Sequence, residues 1–124
     1  RSTAAPILLA HSLACQFVAH WAAGATVAIR GAFLVSPPDP SGSIYMTEAP
    51  SFVDPPRLRL PFPSLVIAST NDPFGSFDHA AECTRAWGSE LIAAGALGHI
   101  NADSGLGAWP EGRALFEAFC ARLG

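Results

Sequence analysis

The chain has 124 residues, half of them hydrophobic and only 14% charged, with a formal net charge of −3. That length supports one hydrophobic core and excludes a second, and the apolar balance excludes disorder over most of the chain. The Lys and Arg residues are scattered without a basic patch, which argues against nucleic acid as a partner.

A membrane span is argued against as well. The longest apolar stretch, Phe17 to Val35, is interrupted by His20 and Arg30, punctuated by Gly24 and Gly31, and changes from helix-like to strand-like patterning. Arg1, Ser2 and Thr3 precede only a short apolar run, unlike a signal peptide, so a soluble cytoplasmic protein is expected. Cys15, Cys83 and Cys120 match neither a disulfide framework nor a zinc pattern and are expected to be reduced core thiols.

In chain order, Pro6 to Ala10 reads as a strand buried on both faces, ended by His11 and Ser12. Phe17, Val18, Trp21 and Ala22 recur at helical spacing, so Leu13 to Ala23 is predicted as a helix, with Gly24 placed where a C-terminal cap would be. Val27 to Ser36 reads as a second strand stopped by Pro37 and Pro38. Pro37 to Pro63 holds most of the eleven prolines and is expected to be an irregular loop or a lid with a short helical turn. A third buried strand spans Ser64 to Ser69, Asp72-Pro73 turns the chain into a helix over Phe77 to Trp87, and a fourth strand spans Glu90 to Ala94. A glycine-rich loop from Gly95 to Gly107 leads to Pro110, which starts a last helix with Leu115, Phe116 and Phe119 on one side.

Strands alternating with helices predict a three-layer α/β/α sandwich with a mainly parallel sheet, whose functional groups gather at the carboxyl ends of the strands. Ser12, Asp72 and His99 each follow a predicted strand. A serine hydroxyl becomes a nucleophile when an imidazole accepts its proton and a carboxylate holds that imidazole in one tautomer. The chain order Ser, Asp, His is that of hydrolases in which a strand-to-helix turn exposes the serine. Small residues two before and two after the serine let such a turn close, and here they are Ala10 and Ala14 rather than glycines.

Each residue has a plainer reading. Ser12 could simply cap the following helix, Asp72 could cap the helix after Pro73, and His99 could be a structural loop residue. Asp39 is the rival acid, and Asp103 is better placed to stabilise the loop around His99. His11 is expected to support the turn rather than accept a proton, while His20 and His79 read as surface or half-buried residues. No His and Cys pair has metal-ligand spacing, so no metal site is expected. The Leu13 N–H is a candidate oxyanion donor. Phosphate binding by the Gly95 to Gly107 loop lacks the lysine that would support it.

These residues carry a family resemblance. His11-Ser12-Leu13 with Cys15, Val35-Ser36-Pro37-Pro38, Leu60-Pro61-Phe62-Pro63-Ser64, Ser69-Thr70-Asn71-Asp72-Pro73, Ala86-Trp87-Gly88, Gly98-His99-Ile100-Asn101 and the segment from Gly105 to Gly112 through Trp109-Pro110 together resemble the retinoblastoma-binding protein 9 type of small serine hydrolase. The resemblance covers essentially the whole chain. It implies an α/β-hydrolase core without cofactor, acting on esters or small amides, with the triad on Ser12, Asp72 and His99 and with His11 and Trp109 as supporting residues. Ala14 stands where that family usually has glycine, and the family's N-terminal strand, helix and oxyanion loop have no counterpart before Arg1. The expected fold is thus α/β-hydrolase-like and N-terminally incomplete. An uncovered strand at Pro6 to Ala10 would present an apolar edge, so self-association through that edge, or further chain upstream, is expected. The competing functional reading is an inactive hydrolase-fold module that binds a protein partner or small ligand.

Overall fold

The computed structural model describes residues 5–24, 28–39, 58–101, 104–107 and 109–123. Along them run β1 (Ile7–His11), α1 (Leu13–Ala22), β2 (Gly31–Val35), β3 (Ser64–Ala68), α2 (Phe77–Trp87), β4 (Glu90–Ala93) and α3 (Pro110–Leu123). The strands form a parallel sheet in the order β1-β2-β3-β4. Parallel neighbours need long crossovers rather than hairpins, and α1 and α2 supply two of these.

The strand sequences explain the layering. β2 and β3 are apolar nearly throughout and buried at every position, as strands covered on both faces must be. Alternate side chains then go to opposite sides. Ala10, Ala32, Leu34, Val66 and Ala68 pack with Cys15, Val18 and Ala19 of α1 and with Ala80, Cys83 and Trp87 of α2. Phe33, Val35, Leu65 and Ile67 face Phe116 and Phe119 of α3 on the other side. The α3 helix lies so close to β2 that a Cβ on Gly31 would sit 2.7 Å from Leu123 Cδ1. The result is the predicted three-layer α/β/α sandwich.

β1 is one of the two edge strands, and among the described residues no strand pairs with its outer side. Leu9 on this strand is 64% exposed.

Element limits depart from expectation in physically simple ways. β2 ends before Ser36, whose φ of 57° breaks the extended run, although its N–H still reaches Ile67 O at 2.9 Å. α1 closes through Ala23 in the right-handed region, with the Gly24 N–H on Trp21 O, so the left-handed freedom expected of Gly24 is not used there. Gly88 does supply that conformation at the end of α2, with φ of 71°. Residues 40–57, most of the expected loop or lid, and Asp103 lie outside the described residues. No helix among the described residues is long and apolar enough to cross a membrane.

Candidate active site

The parallel register brings His11 beside Val35, Val35 beside Ile67 and Ala68 beside Ala93. The residues that follow each strand therefore emerge along one edge of the sheet, where open α/β sheets bind ligands.

Ser12 is the sharpest point of that edge. Its N–H extends the β1–β2 ladder to Val35 O at 2.8 Å, and its carbonyl already accepts the Cys15 N–H at 2.9 Å. One residue must turn the chain from strand to helix, and Ser12 does so at φ 60°, ψ −126°. A non-glycine residue held there costs about 1–3 kcal/mol, which surrounding structure must offset. The side chain makes no capping hydrogen bond to α1. The plainer reading of Ser12 as a helix cap is therefore not what the turn adopts.

The Ser12 hydroxyl instead lies 2.6 Å from His99 Nε2. On the other side of the ring, Nδ1 lies 2.9 Å from both carboxylate oxygens of Asp72. A carboxylate only accepts, so Nδ1 carries the proton and Nε2 presents its lone pair to the hydroxyl. His99 and Asp72 are both buried, which shields the pair from water. Asp72 Oδ1 also accepts the Phe74 N–H at 2.9 Å, fixing the carboxylate. It does not cap α2, whose N-cap is Ser76, with Oγ accepting the His79 N–H.

The turn carrying Asp72 and the loop carrying His99 are joined by residues to which linear pattern assigns no role. The buried Ser69 hydroxyl donates to Asn71 Oδ1 at 2.8 Å and accepts the Leu97 N–H at 2.9 Å. Asn71 Oδ1 accepts the Gly98 N–H at 2.7 Å. Ser104 donates to Leu97 O at 2.6 Å and accepts the Asn101 N–H at 3.2 Å. Short polar residues next to a turn favour such local bonds, yet a bond across 27 residues, as from Asn71 to Gly98, has no linear signal.

Other candidates fall elsewhere. Asp39, the rival acid, has Oδ1 3.8 Å from His79 Nδ1. His79 is buried rather than superficial, with Nε2 3.4 Å from Cys83 Sγ. Trp109 takes no part in the Ser–His–Asp chain. It adopts φ 50° and lays its ring over Gly112, where a Cβ would overlap it, at the start of α3. Leu13, the first residue of α1, lines a cavity of about 290 Å³ beside Ser12 and His99, with His11, Pro38, Phe74 and Asn101 completing the wall. A larger cavity of about 440 Å³ lies on the α3 side of β1 among Leu9, Phe33, Ile100, Trp109 and Phe116, and Ser12 is not in its wall.

The three cysteines are free thiols, two buried and Cys120 half-buried. Burial pushes the Cys15 thiol well above its ordinary value, keeping it protonated beside Val35 O. Among the described residues no group of three His, Cys, Asp or Glu side chains is placed to hold a metal ion.

A parallel sheet between helices, with a strained serine turn and an Asp-buttressed histidine at its carboxyl edge, defines the α/β-hydrolase class. The chain belongs to the serine hydrolase family, whose model matches residues 1–118. It is similar in structure to a YdeN-like hydrolase from Pectobacterium atrosepticum, with TM-score 0.80 and 34% identity over 98% of this chain and 62% of that one. The ydeN gene product from B. subtilis matches at TM-score 0.66 and 20% identity, over 93% of this chain and 65% of that one. An esterase domain from a Rhodothermus marinus protein matches at TM-score 0.58 and 18% identity, over 84% of this chain and 60% of that domain; these last two similarities concern the fold alone. The chain thus spans less than two thirds of the length of these structures. Comparison with curated proteins returned no match.

Proposed function

We propose that this protein hydrolyses carboxylic esters or small amides through an acyl-enzyme, with Ser12 as nucleophile, His99 as general base and acid, and Asp72 as the group that orients His99. The observation that carries the reading is the unbroken chain from Ser12 Oγ through His99 to Asp72, at 2.6 Å and 2.9 Å. Membership of the serine hydrolase family supports it, as does the resemblance to the retinoblastoma-binding protein 9 type.

In this reading Ser12 Oγ attacks the substrate carbonyl carbon while its proton passes to His99 Nε2. The carbonyl oxygen becomes an oxyanion next to the Leu13 N–H, one of the helix-terminal donors without an intrahelical partner. His99 returns the proton to the leaving alcohol or amine as its bond to the carbonyl carbon breaks. Water then attacks the acyl-enzyme, again giving its proton to His99, and the carboxylic acid departs with Ser12 restored. Asp72 stays ionised throughout and stabilises the imidazolium. No step calls for a cofactor. The cavity beside Ser12, walled by Leu13, Pro38 and Phe74, favours small acyl groups with apolar character.

The test is turnover of short-chain p-nitrophenyl esters by wild type and Ser12→Ala. Turnover lost in the variant supports the reading. Equal background rates, with both proteins folded, would leave the non-catalytic binding module as the better description.

A further inference from the structure

We propose that His11, beyond supporting the Ser12 turn, is a positioning residue for His99, acting through the peptide that follows the base. The inference rests on the reading of Ser12 and His99 as nucleophile and base. His11 Nε2 lies 2.9 Å from the His99 backbone carbonyl. A carbonyl only accepts, so His11 carries its proton on Nε2 and donates it.

The His99–Ile100 peptide needs such a partner. Ile100 has φ of 54°, a conformation that is a genuine outlier for a β-branched residue. Strain of this kind persists only where neighbouring contacts over-determine it. The N–H of this peptide reaches Leu97 O at a long 3.3 Å, so the shorter bond, from His11 to the carbonyl, is the firmer restraint. If this peptide rotated towards a relaxed Ile100, the His99 Cα–Cβ direction would move with it. Nε2 and Nδ1 would then lose their simultaneous alignment on Ser12 and Asp72.

The rings repeat the message. The His99 imidazole is flanked by His11, with centroids 4.9 Å apart, and by Phe74, at 4.5 Å. His11 itself is exposed. Water could serve its ring nitrogen, so its bond to His99 is not forced by a need to satisfy a buried donor. Because His11 also immediately precedes Ser12, one residue ties the nucleophile's strand to the base's loop.

Two variants separate the donor from the ring: His11→Gln keeps an N–H at about the reach of Nε2, and His11→Phe keeps a ring but donates nothing. Each would be compared with wild type in ester kcat and KM, and by the downfield proton resonance of His99 Nδ1–H, which reports its bond to Asp72 without requiring turnover. The proposal predicts that His11→Phe loses on the order of tenfold to a hundredfold in kcat with KM little changed. It also predicts that its Nδ1–H resonance broadens or disappears, and that His11→Gln restores both towards wild type. An unchanged resonance and kcat in His11→Phe would overturn it, as would equal losses in the two variants. If wild type turns over no ester, the resonance alone decides the positioning role, and the functional reading fails separately.

Discussion

Asn71 Oδ1 accepts the Gly98 N–H at 2.7 Å, a bond that spans 27 residues and ties the turn bearing the acid to the loop bearing the base. Asp72 and His99 are the next residues along the chain in each case. The spacing of the acid–base pair is thus set by a neighbouring bond as well as by its own. Asn71→Ala would leave the Gly98 N–H without this partner and free the Ser69 hydroxyl. We expect stability to fall by about 1–2 kcal/mol and kcat to fall more than KM rises. Chemical denaturation and steady-state kinetics on the same sample check both.

The turn at Ser12 predicts a trade between stability and activity. Glycine adopts φ 60°, ψ −126° without a Cβ penalty. Ser12→Gly is expected to abolish turnover while raising stability by about 1 kcal/mol or more. A melting temperature below that of wild type would contradict the strain assigned to this residue.

Asp72→Asn tests the orienting carboxylate. The amide can keep an acceptor for the Phe74 N–H, but it no longer imposes the Nδ1–H tautomer on His99. The expected loss in kcat is on the order of a thousandfold or more, with the far-UV spectrum unchanged. Asp39→Asn, at the rival acid beside His79, is expected to cost less than threefold, and a larger loss there than at Asp72 would reverse the assignment.

The buried thiol at Cys15 predicts both reactivity and pH dependence. In the native protein iodoacetamide should modify Cys120 first and spare Cys15 and Cys83. Burial raises the folded pKa of Cys15 above its unfolded value. Its contribution to stability is therefore complete below the ordinary thiol range, and it shrinks as pH rises through that range because only the unfolded chain then ionises. Cys15→Ala should be less stable at neutral pH, through the cavity it leaves, and should lose stability less steeply between about pH 8 and 10. Unfolding curves measured across that range decide the sign.

Much of this molecule is legible in its sequence because its strands are short, apolar and bounded by strong punctuation. The strand Ser64 to Ala68 falls one residue short of the predicted Ser64 to Ser69, and Phe77 to Trp87 is helical as the turn at Asp72-Pro73 predicts. That Ser12, Asp72 and His99 meet is readable because each follows a strand, and parallel register brings strand ends together. What linear pattern could not supply was partnership. Cys83 follows His79 by one helical turn, so their nearness is readable once the helix is, whereas nothing in the linear pattern announces Asp39 as a neighbour of His79. Ser69 and Asn71 look like ordinary turn formers until Leu97 and Gly98 are folded over them. Gly24 looked like a helix cap by position, but whether a glycine uses its conformational freedom depends on where the chain goes next.

An activated Ser12 should react with a fluorophosphonate probe, its Oγ forming a bond to phosphorus as fluoride departs and the hydroxyl proton moves to His99. Intact-mass measurement before and after exposure should show one adduct on the wild-type protein and none on Ser12→Ala. A folded wild-type protein that takes up no adduct, or an adduct that persists in Ser12→Ala, would contradict the account.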